Sequence, residues 1–225
     1  MSVYTSVSDA ALQTLLRQYQ IGDAISLTGI RDGIENSNYF LSTAEGEYVL
    51  TVFESLTAEE IPYFMQLMHF LARQGVPCAT PQCTNSGAYV SEAMGKPVSI
   101  VHRLTGHSIK EVSNSHIQNL GIALGRWHSH TEVIAEGSNF NNQRLNQYDK
   151  RWRHEAADSV FGMLSSQDKE LLQTELDLQR LYTYENLPQG VIHSDLFRDN
   201  ALFDGTRLTG IIDLYDACTG ALLYD

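Results

Sequence analysis

The sequence predicts an α+β chain: a small antiparallel sheet in its first hundred residues, then a mainly helical stretch ending in a β-hairpin. Three observations carry this expectation. The segments AISLTGI (24–30), NYFLSTA (38–44) and YVLTVFE (48–54) alternate or run apolar and are rich in β-branched and aromatic residues. Helical stripes of apolar residues follow residue 113. Near the C-terminus, Asp204-Gly205 stands between two short apolar runs, a strong hairpin signal.

Each element has a local reason. Ser8 can cap a first helix with Ala11, Leu12, Leu15, Leu16 and Tyr19 on one face. The tracts RDGIENS and EGE join the three strands into a meander. Thr57-Ala-Glu-Glu60 matches a capping box opening a helix with Ile61, Phe64, Met65, Met68 and Leu71. Pro62 sits awkwardly after its first turn, which moves the expected start by a few residues. Gly75 and Pro77 end it. Two more strands are expected near 88–92 and 97–104. Ser113 can cap a helix with Ile117, Leu120, Leu124 and Trp127. Others are expected over roughly 147–163 and from Ser165-Ser-Gln-Asp168 onward, the latter with Leu171, Leu172, Leu176 and Leu181.

Composition narrows the function classes. With 225 residues, the chain is long enough for one domain of two lobes or two small ones. Its formal net charge of −12 argues against non-specific binding to nucleic acid or an anionic membrane. No apolar run approaches the roughly 18 residues of a membrane span. The start MSVYTSVSDA has neither a basic nor an apolar signal-peptide region, so a cytoplasmic setting is expected. Cys78, Cys83 and Cys218 cannot all pair and form no CxxC; they read as free thiols, small and buried.

The chemistry concentrates in VIHSDLFRDNALFDGTRLTGIIDLYD. A hairpin over Ala201–Phe203 and Leu208–Ile212 brings its ends together, and those ends carry Asn200 and Asp213. Val191-Ile192 leads into His193-Ser-Asp195. Asp195, Asn200 and Asp213 therefore converge at one rim. An amide oxygen beside a carboxylate suits Mg²⁺, a hard ion that takes its remaining ligands from phosphates and water. A further carboxylate can orient a hydroxyl and accept its proton. These are the parts of phosphoryl transfer from ATP. The pattern H-x-D-L-x-x-x-N matches a protein-kinase catalytic loop, with Ser194 in place of Arg. The tract Asp32–Asn38 could present backbone N–H groups to a triphosphate.

The segments GIENSNYFLST, YVLTVFE, VIHSDLFRDNALF and GIIDLYDACTGALLYD resemble bacterial homoserine kinases of the aminoglycoside phosphotransferase-like superfamily, which also holds choline and methylthioribose kinases. The resemblance covers essentially the whole chain. It implies a bilobal, protein-kinase-like fold, with a nucleotide-binding lobe over residues 1–104 and a helical catalytic lobe over 105–225. It implies Asp195 as catalytic base and Asn200 and Asp213 as Mg²⁺ ligands. Gly33, Ile34, Glu35, Asn36, Ser37 and Asn38 would cover the phosphates of ATP. Val49, Val101 and Arg103 would bind the nucleotide, with Ile100–Leu104 as the hinge holding adenine. The implied reaction converts L-homoserine and ATP to O-phospho-L-homoserine and ADP, a step in threonine biosynthesis. Rival acceptors are choline, ethanolamine, methylthioribose and aminoglycosides; a non-catalytic nucleotide-binding fragment is the rival from another class.

Two departures stand out. The wider superfamily carries a Lys on the third strand, where this sequence has Thr51; Arg31 and Arg103 are candidate replacements, and Glu60 then serves only as a cap. The chain also ends at Asp225, where the resemblance implies further helices. Their absence predicts exposed apolar surface, and with it poor solubility or weak activity. His128 and His130, two apart on a helix, face different directions and do not read as a metal pair. His193 is expected to support the loop backbone. Arg198 either touches phosphate or acceptor, or pairs with a carboxylate.

Overall fold

The structure, a computed structural model, describes residues 4–31, 33, 35–132, 140, 144–146, 150–181 and 187–225. The chain divides into two compact units. The first comprises Met1–His130 with Asp195–Asp216; the second comprises Thr131–Ser194 with Ala217–Asp225. This partition groups the C-terminal hairpin with the strand-rich segment, whereas the lobes read from the sequence divide at residue 104.

In the first unit, Ser8 accepts a hydrogen bond from the Ala11 N–H and opens helix α1 (Asp9–Leu16). Strands β1 (Ala24–Gly29), β2 (Ser37–Thr43) and β3 (Gly46–Val52) form the expected meander. Helix α2 (Ile61–Arg73) follows, then β4 (Ser91–Ala93) and β5 (Lys96–His102). The sheet order is β1-β2-β3-β5-β4, with antiparallel pairing throughout. Side chains alternate between its faces because strand residues repeat with period two. Leu41, Leu50 and Ile100 lie on one face and pack with Leu12, Leu15 and Leu16 of α1 into a buried core. The other face carries two cross-strand rows: Asn38–Thr51–Ser99 and Phe40–Val49–Val101.

The start of α2 departs from the expected capping box. Glu60 reaches back to the Thr57 N–H, but the Thr57 hydroxyl donates to the same carboxylate instead of capping the helix. The helix begins at Ile61, which puts Pro62 in the first turn, where a missing N–H costs nothing.

Helix α3 spans Asn114–Thr131. Its inward stripe runs through Ala123 and the fully buried Trp127; Ile117, expected on that stripe, is 61% exposed. The hairpin is present as β7 (Ala201–Asp204) and β8 (Arg207–Ile211), turning at Gly205 with φ +57°. The segment after β5 clasps it. His107 exchanges backbone hydrogen bonds with Phe203, at 3.1 and 2.9 Å. Gly106 adopts φ +91°, and a Cβ there would meet the Phe203 carbonyl oxygen at 2.7 Å, so no side chain fits.

In the second unit, β6 (Gln189–Ile192) pairs antiparallel with β9 (Cys218–Ala221). Helices α4 (Lys150–Phe161) and α5 (Ser166–Leu181) pack against each other. Ser165 and Asp168 form the capping bonds at the start of α5. No residue of α5 is buried; Leu171 and Leu181 are exposed, as are Met163, Leu223 and Tyr224 in the same unit. Among the described residues, no helix is long and apolar enough to cross a membrane.

Candidate active site

The hairpin assembles the rim that its ends imply. The Ile212 N–H donates to the Asn200 carbonyl at 2.9 Å, which places Asn200 and Asp213 side by side. Asn200 sits in a short 3-10 turn, Arg198–Asn200, after the loop from Asp195. Its Nδ2 donates to the Asp195 carbonyl at 2.8 Å and to Asp195 Oδ2 at 3.2 Å. With the amide nitrogen fixed by Asp195, the Asn200 Oδ1 is the end left to face a ligand. Asp195, Asn200 and Asp213 thus lie together in the first unit.

Asp213 holds a left-handed backbone, φ +62°, a conformation that costs a non-glycine residue of order 1 kcal/mol or more and tends to occur at functional sites. Asp213 is exposed. Desolvation, then the negative charges of Glu35, Asp195 and Asp216, raise it to about 6. Glu35 is raised too, by desolvation and then by Asp216 and Asp195. Four carboxylates, Glu35, Asp195, Asp213 and Asp216, therefore share one neighbourhood. Among the described residues, no three His, Cys, Asp or Glu side chains form a closed metal cage. An amide oxygen, an Asp and surplus negative charge instead fit an oxygen-seeking divalent cation that completes its shell from phosphate and water.

Side chains of the tract 33–38 have partners within the protein. Gly33 is exposed, at φ +95°. Ile34 lies outside the described residues. The Asn36, Ser37 and Asn38 side chains are engaged internally. Asn36 Oδ1 accepts from the Glu54 N–H at 3.4 Å. Ser37 Oγ accepts from the Tyr4 and Thr5 N–H groups and donates to Glu54 at 2.5 Å; Glu54 also pairs with Lys96. Asn38 Oδ1 accepts from Thr51 at 2.8 Å. These side chains hold the loop, and what it can offer a ligand is backbone. The Glu35 carboxylate repels phosphate oxygens unless a cation stands between them.

Val49 and Val101 are cross-strand neighbours and share a row with Phe40. The Arg103 guanidinium stacks over the Phe40 ring at 3.8 Å and approaches Glu47 at 3.6 Å. It is held against the apolar strip rather than free to serve as the missing strand cation. Thr51 is buried and bonded to Asn38, so that place is filled by a hydroxyl network.

In the second unit, His193 is fully buried and Ser194 adopts φ +75°. The Asp225 carboxylate accepts the N–H groups of both, each at 2.8 Å. It fixes the two residues preceding Asp195 in the chain, a role that sequence spacing alone did not reveal. Arg198 Nη1 reaches the Lys110 carbonyl at 3.5 Å. Of the thiols, all free, Cys78 and Cys218 are buried, and burial pushes Cys78 up to about 12. Cys83 is exposed, contrary to expectation, because it lies on the irregular connection between α2 and β4.

Comparison with known proteins agrees with this geometry. The profile of the phosphotransferase enzyme family matches residues 26–225. Homoserine kinase from Methylobacillus flagellatus is 42% identical over all of this chain, which spans 69% of that protein. Homoserine kinase from Neisseria meningitidis serogroup B is 40% identical, with 72% of its length covered. Among solved structures, spectinomycin phosphotransferase in complex with ADP and spectinomycin superposes with a TM-score of 0.73 at 15% identity, covering 98% of this chain and 73% of that one. An amicoumacin kinase bound to AMP-PNP and Ca²⁺ superposes with a TM-score of 0.70 at 16% identity, covering 96% and 66%. The solved structures speak to fold, and the fold is that of the aminoglycoside phosphotransferases. With sequence and fold in agreement, the chain belongs to the phosphotransferase enzyme family and, within it, to the homoserine kinases.

Proposed function

We propose that this chain transfers the γ-phosphoryl group of Mg·ATP to the hydroxyl of L-homoserine, giving O-phospho-L-homoserine and ADP for threonine biosynthesis. The observation that supports it most directly is the juxtaposition of Asp195, Asn200 and Asp213 on a hairpin rim in a chain about 40% identical to homoserine kinases. Asp195 accepts the proton of the attacking hydroxyl and orients its oxygen. Asn200, through Oδ1, and Asp213 would hold the magnesium ion. When bound, that ion neutralises charge on the transferring phosphates. The row Phe40–Val49–Val101 with Arg103 offers a flat apolar seat for adenine, beside the 100–104 segment. Backbone of the 33–38 tract covers the phosphates. Residues 1–104 serve as the nucleotide lobe and 105–225 as the catalytic lobe. The free, buried Cys78 and Cys218 support a reducing, cytoplasmic setting.

The test is ADP release over a panel of homoserine, choline, ethanolamine, methylthioribose and an aminoglycoside, on the wild type and Asp195→Ala. Turnover with homoserine that falls about 10²–10⁴-fold in the variant, with Mg·ATP binding retained, is the expected result. Preference for another acceptor corrects the substrate. Nucleotide binding without turnover on any acceptor supports the non-catalytic reading instead.

A further inference from the structure

The 33–38 tract holds one glycine, Gly33, so side chains must set most of its backbone. Ser37 is fully buried and shares a face of β2 with Tyr39 and Leu41, the face packed on α1. Asn38 lies on the opposite face, across from Thr51. The tract is therefore gripped from behind, on the side of the sheet away from the Phe40–Val49–Val101 strip. At that grip Ser37 Oγ uses every hydrogen-bonding capacity it has. It accepts the N–H groups of Tyr4 and Thr5 at 2.8 and 2.9 Å and gives its one proton to Glu54 Oε1 at 2.5 Å.

Glu54 is the hub of this grip. It stands just beyond β3, where the Phe53 N–H donates to the Pro97 carbonyl at 3.0 Å and holds the backbone to β5. The Glu54 N–H donates to Asn36 Oδ1. Its carboxylate takes the Ser37 proton, the Thr5 hydroxyl proton at 3.1 Å and the Lys96 ammonium. Lys96 also donates to Thr5 Oγ1 at 2.9 Å, and the Tyr39 hydroxyl donates to the Thr5 carbonyl at 2.6 Å. The segment Tyr4–Thr5 is thus a strap, bonded to Ser37, Tyr39, Glu54 and Lys96. Desolvation works against the Glu54 charge, but hydrogen bonds from Lys96, Ser37 and Thr5 outweigh it and hold the carboxyl below its ordinary range. A bare carboxylate behind a phosphate cover would repel the ligand, and the Lys96 ammonium beside it neutralises that charge.

We propose that Glu54 is a positioning residue for the nucleotide: with Lys96 as its counter-ion and the Tyr4–Thr5 strap beside it, it fixes Asn36 and Ser37 so that the tract offers its backbone N–H groups to the phosphates. This rests on the Mg·ATP reading above. Glu54, Thr5 and Lys96 act through Asn36 and Ser37 and need not touch the ligand. A satisfied polar network of this kind specifies one arrangement of the backbone it holds, and a partly satisfied one does not. The effect falls on the phosphates alone, because no member of the network belongs to the Phe40–Val49–Val101 strip.

The experiment is calorimetric titration of the full chain with adenosine and with Mg·ATP, for wild type, Glu54→Gln, Lys96→Met and the double variant. Glu54→Gln keeps the length of the side chain but turns one acceptor oxygen into a donor. Lys96→Met keeps the stem and bares the Glu54 carboxylate. The readout is the ratio of the two affinities, which a general loss of stability does not move. Each single variant should lower the Mg·ATP affinity about fivefold, the scale of one net hydrogen bond, with adenosine within about twofold of wild type. The double variant, which has neither opposed donors nor a bare charge, should be no worse than either single one. Should Glu54→Gln fail to fold, Lys96→Met, at a side chain 37% exposed, carries the test. An unchanged ratio, or additive losses in the double variant, overturns the positioning role. A wild type that binds Mg·ATP no tighter than adenosine overturns the underlying reading and the positioning role with it, whereas a tight-binding wild type with unaffected variants overturns only the positioning role.

Discussion

Replacing Asp213 by Asn should make the ligand-free chain more stable while disabling the metal site proposed for it. The fold raises this carboxylate from its ordinary 3.8 to about 6, through desolvation first and then Glu35, Asp195 and Asp216. A folded-state pKa above the unfolded one means that folding favours the protonated acid. The penalty is absent below about pH 4, grows between about pH 4 and pH 6, and stands in full above that window. At 1.36 kcal/mol per pH unit its ceiling is about 3 kcal/mol. Asp213 is exposed, and solvent screening reduces this to about 1 kcal/mol. Asn removes the charge, keeps the shape and tolerates φ +62°. For a chain of this size Asp213→Asn should therefore melt about 2–4 °C above wild type at pH 8. The gap should close near pH 4. Adding Mg·ADP should invert the order, because wild type alone gains ligand stabilisation. Scanning fluorimetry of both proteins at the two pH values, with and without Mg·ADP, measures all of this. An Asn variant that melts at or below wild type at pH 8 would falsify the claim that Asp213 is held against like charges.

Two further outcomes follow from backbone geometry. Gly106→Ala puts a methyl group 2.7 Å from the Phe203 carbonyl oxygen at φ +91°, so it should cost about 1–3 kcal/mol and lower the melting point; an unshifted melt contradicts the clasp. Asp225→Asn leaves one of the two N–H groups at His193 and Ser194 without its carboxylate acceptor, at a cost of about 1–3 kcal/mol; amide exchange at those two positions should quicken, and unchanged protection would show that Asp225 does not hold them.

The legible parts of the molecule were those whose signal is local. Ser8 caps because its side chain meets its own helix, and the meander follows from alternation within each strand. Asp204-Gly205 fixed the hairpin, and with it the meeting of Asn200 and Asp213. What the sequence hid depends on distant partners. Strand β9 is only four residues, Cys218–Ala221, too short to signal itself, and it exists because β6 lies beside it. Glu60 and Thr57 have the right spacing, yet the hydroxyl turned to the carboxylate and α2 started at Ile61. Ile117 was expected inward on α3, but the buried stripe passes through Ala123 and Trp127. At the site, the 33–38 tract reads as a backbone cover, and nothing local told that Glu54 and Thr51, remote in sequence, occupy the side chains of Asn36, Ser37 and Asn38. Asp225 lies in the resembling tract GIIDLYDACTGALLYD, but no spacing there pointed to the N–H groups of His193 and Ser194 as its partners.

The clasp of residues 106–107 on the hairpin sets a distance. The Phe40–Val49–Val101 strip continues through Arg103 into Gly106, which lies close against Phe203, and His107, which is bonded to Phe203 in the strand that follows Asn200. One hydrogen-bonded frame thus joins the strip to the rim, and a molecule lying along it meets a fixed gauge. On the function proposed above, length itself becomes selective: a nucleotide one phosphate too short would seat its base or reach the acidic end, but not both.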